Sequence, residues 1–175
     1  MASGLFSGKT VLLLAPLVSS TCSLFFGRDE HFFLSGLTKQ PHRAGANKII
    51  PSYFGYFFER GVFGVLALLG VTCSASVGAI YYAKPLLEEK GTLWWYGGAA
   101  SMAVAHLLFS PWVIPSIKAL DAAKATSDKA GQDDGQETNA KHLEEWLRVN
   151  FVRTVTVDLA AFLCAFIAVG KTMNV

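Results

Sequence analysis

Charge is scarce in this chain. Of 175 residues only 16% are Asp, Glu, Lys or Arg, against roughly 25% in ordinary soluble domains, and so little charge cannot cover a water-facing surface. Fifteen Lys and Arg against thirteen Asp and Glu leave a net charge of +2, too small to draw in nucleic acid or an acidic partner over distance. Cysteine is scarce too. Cys22, Cys73 and Cys164 all lie in apolar stretches with no CxxC, which excludes a disulfide framework and a zinc site. They read as small apolar packing residues, with a Cys73–Cys164 redox pair as the remote alternative. The chain has no P-loop, no dinucleotide fingerprint, no Ser-His-Asp order and no Glu/His pairs at i, i+3 for a di-iron site. His31, His42 and His142 are assigned to loops, which leaves a bundle-bound haem without facing axial ligands. No cofactor, no metal and no nucleic-acid partner are therefore expected. No internal repeat supports an inverted-repeat transporter.

What the chain does have is apolar length. Hydrophobic residues make up 52% and the mean hydropathy is +0.38. A membrane-spanning helix needs about 20 predominantly apolar residues. Four segments approach or exceed that: 10–26, 56–83, 93–114 and 146–169. They predict an all-α fold, a four-helix transmembrane bundle forming one integral membrane domain over 1–175, with the lipid bilayer as its first partner. The first segment is short and broken by Pro16, and residues 1–8 lack a basic n-region, so it reads as a retained helix and not a cleaved signal peptide. Aromatic residues flank the segments: Tyr53, Phe54, Tyr56, Phe57 and Phe58 before the second, Tyr81 and Tyr82 after it. Trp94, Trp95 and Tyr96 open the third, Trp112 closes it and Trp146 opens the fourth, as expected of interfacial belts. Gly70, Ser74 and Gly78 form a small-residue row that predicts close helix packing.

The connections read as a mixed loop over 27–52, a tight link over 84–92 and a polar, partly disordered loop over 118–141. Eight basic residues in the first and third connections, against four near the termini and second link, place the two large connections on the cytosolic side.

Ionisable groups inside a bilayer are costly, about 2.5–3.5 kcal/mol at its centre on insertion scales, so each needs a reason. The candidates are Glu59, Arg60, His106, Arg148, Asn150, Arg153 and Asp158. On an ideal helix Trp146, Asn150, Arg153, Val157 and Cys164 share one face, and Asp158 projects off it. Arg148 and Arg153 fit snorkelling to headgroups, or a buried ion pair with Glu59 or Asp158 that fixes register. Asn150 fits an interhelical hydrogen bond. His106, two-thirds along the third segment, reads as a hydrogen-bonded core residue or as a base, since a neutral imidazole can take a proton from an acidic carbon or phenol.

The last segment reads EEWLRVNFVRTVTVDLAAF, with Trp146, Asn150 and Arg153 spaced W-x3-N-x2-R; the third ends SPWVIPSIKAL, and FFERG leads into the second. In these features and in its helix pattern the chain resembles the anthrone oxygenase family, small four-helix membrane proteins of fungal secondary metabolism. Where that family's third-helix turn often reads P-T-N, this chain has Pro115, Ser116 and Ile117. The resemblance implies a membrane-embedded, cofactor-free oxygenase (a monooxygenase) acting on a lipophilic aromatic polyketide such as an anthrone, in the endoplasmic reticulum or another endomembrane. It carries over Trp146, Asn150 and Arg153. The residues then suggest His106 as base, Asn150 and Arg153 as enolate stabilisers, and Trp112 and Trp146 as stacking surfaces for a flat substrate. Two other readings use the same residues: a non-catalytic scaffold or carrier of a pathway, and a membrane isomerase or cyclase.

Overall fold

The computed structural model describes residues 7–130 and 138–174. Among them the chain is helical throughout, without strands: α1 (Gly8–Ser35), a 3-10 turn (Gly36–Thr38), α2 (Arg43–Tyr82), α3 (Lys84–Glu89), α4 (Leu93–Ala105), a second 3-10 turn (His106–Phe109), α5 (Ser110–Ala130), α6 (Thr138–Arg153), a π-helical turn (Thr154–Asp158) and α7 (Leu159–Met173). Four continuous helical stretches, Gly8–Thr38, Arg43–Tyr82, Leu93–Ala125 and Thr138–Met173, are long and apolar enough to cross a membrane. The all-α expectation and the count of four apolar helices hold.

The helices outrun the apolar segments that announced them. Much of the expected 27–52 loop is helix, because α1 runs on to Ser35 and α2 begins at Arg43. Of the expected 118–141 loop, residues up to Ala130 belong to α5 and those from Thr138 belong to α6; 131–137 lie outside the described residues. Hydropathy marks where a helix is apolar, not where it ends, and a polar helix packed along one face leaves no hydropathic trace. His31 and His142, assigned to loops, accordingly stand on α1 and α6.

The chain divides into two compact units. Unit 1 comprises Met1–Phe26, Val65–Leu108 and Thr154–Val175; unit 2 comprises Gly27–Gly64 and Phe109–Arg153. Unit 1 packs Leu13, Ala79, Ala83, Leu87, Tyr96, Ala168 and Val169 into one core. Small residues bring its helices close: a Cβ on Gly98 would meet Cys164 Sγ at 3.0 Å, so α4 and α7 pass there with no room to spare. Buried hydroxyls tie the helices together. Tyr96 Oη donates to Leu13 O (3.0 Å), Thr172 Oγ1 to Thr92 Oγ1 (2.9 Å), and Ser19 and Thr72 share a hydrogen bond of 2.7 Å. The turn from α3 to α4 is set by Gly91, whose φ of 62° is a left-handed conformation that glycine adopts without a Cβ penalty. Thr92 N–H then donates back to Leu87 O at 2.8 Å, closing the helix end in a Schellman arrangement. The expected row Gly70, Ser74, Gly78 is not the packing face as a whole. Gly70 and Ser74 are exposed, only Gly78 packs, against Leu12, and the buried row is Thr72, Ser76, Ala79 and Ala83.

Unit 2 has a larger, aromatic core: Leu34, Ala46, Ile50, Phe54, Leu120, Ala140, Leu143, Trp146 and Leu147. Asn47 anchors the start of α6, its Oδ1 accepting from Ala140 N–H at 3.0 Å while Asn139 Nδ2 donates to Asn47 O. Arg43 forks onto Glu144, and Lys124 approaches Glu59 at 4.0 Å.

Candidate functional site

Two buried polar clusters stand out, one in each unit. In unit 1, His106 Nδ1 lies 2.7 Å from Asp158 Oδ1, with both side chains nearly excluded from the surface. With the carboxylate ionised and the imidazole neutral, His106 Nδ1–H donates to Asp158 and the ring's other nitrogen keeps the lone pair. Local backbone makes the pairing possible. Tyr96, Ala99 and Ala103 are buried at spacings of three and four, and His106 is the next position of that row, where α4 tightens into its 3-10 turn. Asp158 closes the π-helical turn Thr154–Asp158. An ideal helix turns Asp158 off the face shared by Trp146 and Asn150. The wider π turn re-phases the helix, so the observed buried row runs Trp146, Asn150, Thr154, Asp158, Ala161. That corrects the expectation that Asp158 projects away.

In unit 2 the buried Glu30 carboxylate is the focus. Asn150 Nδ2 donates to Glu30 Oε2 at 2.9 Å, and Arg153 Nη2 lies 3.6 Å from the same oxygen. Asn150 is wholly buried. Beside them the His31 ring tilts against Phe151 at 5.4 Å. Arg153 therefore pairs with Glu30, a carboxylate that the expected register-fixing ion pair did not include. Glu30 escaped the sequence reading because it falls in a stretch taken for loop. A signal was there: Leu13, Pro16, Ser20, Ser23, Gly27, Glu30 and Leu34 are buried at alternating spacings of three and four, the signature of one helix face.

Of the residues suggested as a site, Asn150 and Arg153 thus meet at Glu30, while His106 meets Asp158. Trp146 is a core residue of unit 2, edge-on to Phe54 at 5.2 Å. Trp112 is 63% exposed, with Phe109 at 5.8 Å. Glu59 and Arg60 lie near the surface, Arg60 stacking over Tyr56. A cavity of about 540 Å3 opens where α1 turns into α2, lined by Phe33, Leu37, Pro41, His42 and Ile49 among others; it contains none of the suggested site residues. The three cysteines are free thiols. Among the described residues no group of three or more His, Cys, Asp or Glu is placed to hold a metal ion.

A model of the anthrone oxygenase family matches residues 54–164, which include His106, Asn150, Arg153 and Asp158. Curated relatives match nearly end to end. The epoxidase pydX of Acremonium sp is 23% identical over 93% of this chain and 94% of its own length. The probable epoxidase scpX of Mollisia scopiformis is 22% identical over 93% and 96%, and the epoxidase gkaX of Penicillium citrinum 25% identical over 93% and 95%. No solved structure matches.

Proposed function

The chain belongs to the anthrone oxygenase family, and on that premise we propose that it is a membrane-embedded oxygenase of secondary metabolism acting on a lipophilic aromatic polyketide. The observation that carries the reading is the His106–Asp158 pair, buried at 2.7 Å in an apolar unit. Asp158 fixes the imidazole tautomer, and Nε2 is the base. A substrate with an activated C–H, flanked by aromatic rings and a carbonyl as in an anthrone, loses that proton to Nε2. The resulting enolate is rich enough in electrons to reduce dioxygen and bond to it. The hydroperoxide so formed loses water, leaving a new carbonyl. One CH2 and one O2 give one C=O and one H2O, so the sequence closes without an external reductant.

The three epoxidase relatives favour a second reading, oxygen transfer to a carbon–carbon double bond. One oxygen atom then enters the substrate and the other leaves as water, which takes two electrons and two protons from an external reductant or from a hydroquinone group of the substrate that becomes a quinone. His106 serves there as the group that deprotonates the hydroquinone.

The test separates base chemistry from folding. H106A and D158N are produced in membranes at matched abundance and supplied with an anthrone. Oxygen uptake falls by about 10²–10⁴ in H106A, the usual range for losing a general base, and by less in D158N, which keeps the imidazole. Without oxygen, the native protein exchanges the acidic C–H for deuterium and H106A does not. If H106A retains native exchange and uptake, His106 is not the base.

A further inference from the structure

The cavity at the elbow between α1 and α2 shares no residue with the proposed chemistry. It measures about 540 Å3 and belongs wholly to unit 2. That volume falls within the roughly 300–1,000 Å3 of small-molecule sites. One arm supplies Phe33, Gly36 and Leu37, and the other supplies His42, Gly45 and Ile49. The two glycines make the space. A Cβ built on Gly36 or on Gly45 would meet nothing within 4 Å, and neither has the positive φ that favours glycine. Gly45 stands within α2, where glycine is a poorer helix former than alanine. Neither backbone conformation nor a packed neighbour calls for glycine at these positions; what the missing side chains leave is room.

Charge around the cavity has one sign. From His31 to Phe58 the chain has Lys39, Arg43 and Lys48 and no Asp or Glu. Arg43 pairs with Glu144, while Lys39 and His42 stand exposed at the bend. The mouth is apolar, since Phe32, Phe33 and Ile49 are each more than half exposed, and an exposed apolar patch rimmed by polar groups marks a binding surface. Apolar walls, an apolar mouth and cations at the rim complement an anionic amphiphile. The place of the elbow in the chain says where that molecule comes from. It joins Gly8–Thr38 to Arg43–Tyr82, two helical stretches long and apolar enough to cross a membrane. The backbone polar groups of a turn cannot be left unsatisfied in hydrocarbon, so the bend between two crossings lies outside the acyl layer, where headgroups begin.

We propose that the elbow cavity holds one anionic glycerophospholipid of the surrounding bilayer, with an acyl chain along Phe33, Leu37 and Ile49 and the phosphate at Lys39 and His42. Lysine offers three N–H donors and an imidazole at least one, and basic pockets beside membrane helices take anionic headgroups in this way. The site goes beyond the oxygenase reading and does not rest on it.

The full chain in dodecyl maltoside is titrated with dioleoylphosphatidylserine or dioleoylphosphatidylcholine, and bound lipid is counted by native mass spectrometry. One phosphatidylserine is retained about fivefold or more over phosphatidylcholine, the factor expected of a single lysine at an anionic headgroup. K39Q/H42Q abolishes the preference, and G36L/G45L, which fills the space, loses both lipids. All four positions are exposed, so both variants unfold near the native midpoint without lipid; if G36L/G45L does not fold, K39Q/H42Q decides. Equal retention of the two lipids by the native chain overturns the proposal, as does an unchanged preference in either variant. If inorganic phosphate alone raises the native unfolding midpoint as much as phosphatidylserine does, the rim is a free-anion site. If oleate displaces phosphatidylserine as well as phosphatidylserine itself does, the cavity is a fatty-acid site. Either result overturns the assignment to a phospholipid. None of these measurements reads oxygen uptake, so the lipid site and the proposed chemistry fail separately.

Discussion

The two units solve the same packing problem with different materials. Unit 1 is built from alanine, glycine and hydroxyl residues whose helices approach closely and exchange buried hydrogen bonds. Unit 2 is built from Phe54, Trp146 and branched apolar residues, with carboxylates and guanidinium groups meeting across helices. Small residues let helix backbones approach closely enough to exchange hydrogen bonds; bulky apolar side chains hold helices farther apart and bury more area. Among the described residues each unit also buries one carboxylate, and the partner differs. Asp158 meets an imidazole, whose nitrogens can each donate or accept a proton. Glu30 meets a guanidinium, which only donates.

The contrast can be broken from either side. The largest stability effect is expected at Glu30. R153M leaves a buried carboxylate without its cation and costs about 3–5 kcal/mol, while the double variant E30Q/R153M recovers much of that loss, as read by thermal unfolding in detergent; a loss below about 1 kcal/mol would show the network to be solvated. In unit 1, Y96F removes the hydroxyl that donates to Leu13 O and costs about 1 kcal/mol, a loss insensitive to salt. Smallest is the Arg43–Glu144 pair, where Glu144 is 40% exposed. A double-variant cycle with R43M and E144Q is expected to give about 0.3–1 kcal/mol, shrinking as salt rises. If the Arg43–Glu144 coupling ignored salt while the Y96F loss followed it, the ion pair would be the shielded contact and the Tyr96 hydroxyl the solvated one, against their observed exposures.

Much of this was legible in the residues. Apolar length gave four helices, and the W-x3-N-x2-R spacing put Asn150 and Arg153 on one helix face, though not their meeting at Glu30. His106 was legible as the sole histidine within an apolar stretch. Three things were not, each for a physical reason. Glu30 was hidden because polar helix looks like loop to hydropathy, although its place in a three-four row was visible. The helical extents of 118–130 and 43–55 were hidden for the same reason. The His106–Asp158 pair was hidden because it depends on helix phase, and the phase changes at the π turn, which no residue type announces.

That turn also reads as a matter of gene length. A π turn holds one residue more than an α turn would use. It absorbs about 100° of rotation, so the helix after it keeps the phase of an unbroken α-helix one residue shorter. Were the same residues wound as α throughout, the row Ala161, Ala165, Ala168 would swing away from its partners, and Asp158 from His106, while Trp146, Asn150 and Arg153 kept their own phase. The surplus codon is therefore silent in the fold only while the turn stays π. Deleting one residue between Thr154 and Asp158 would leave carboxylate facing imidazole, and forcing the turn into α geometry at full length would part them.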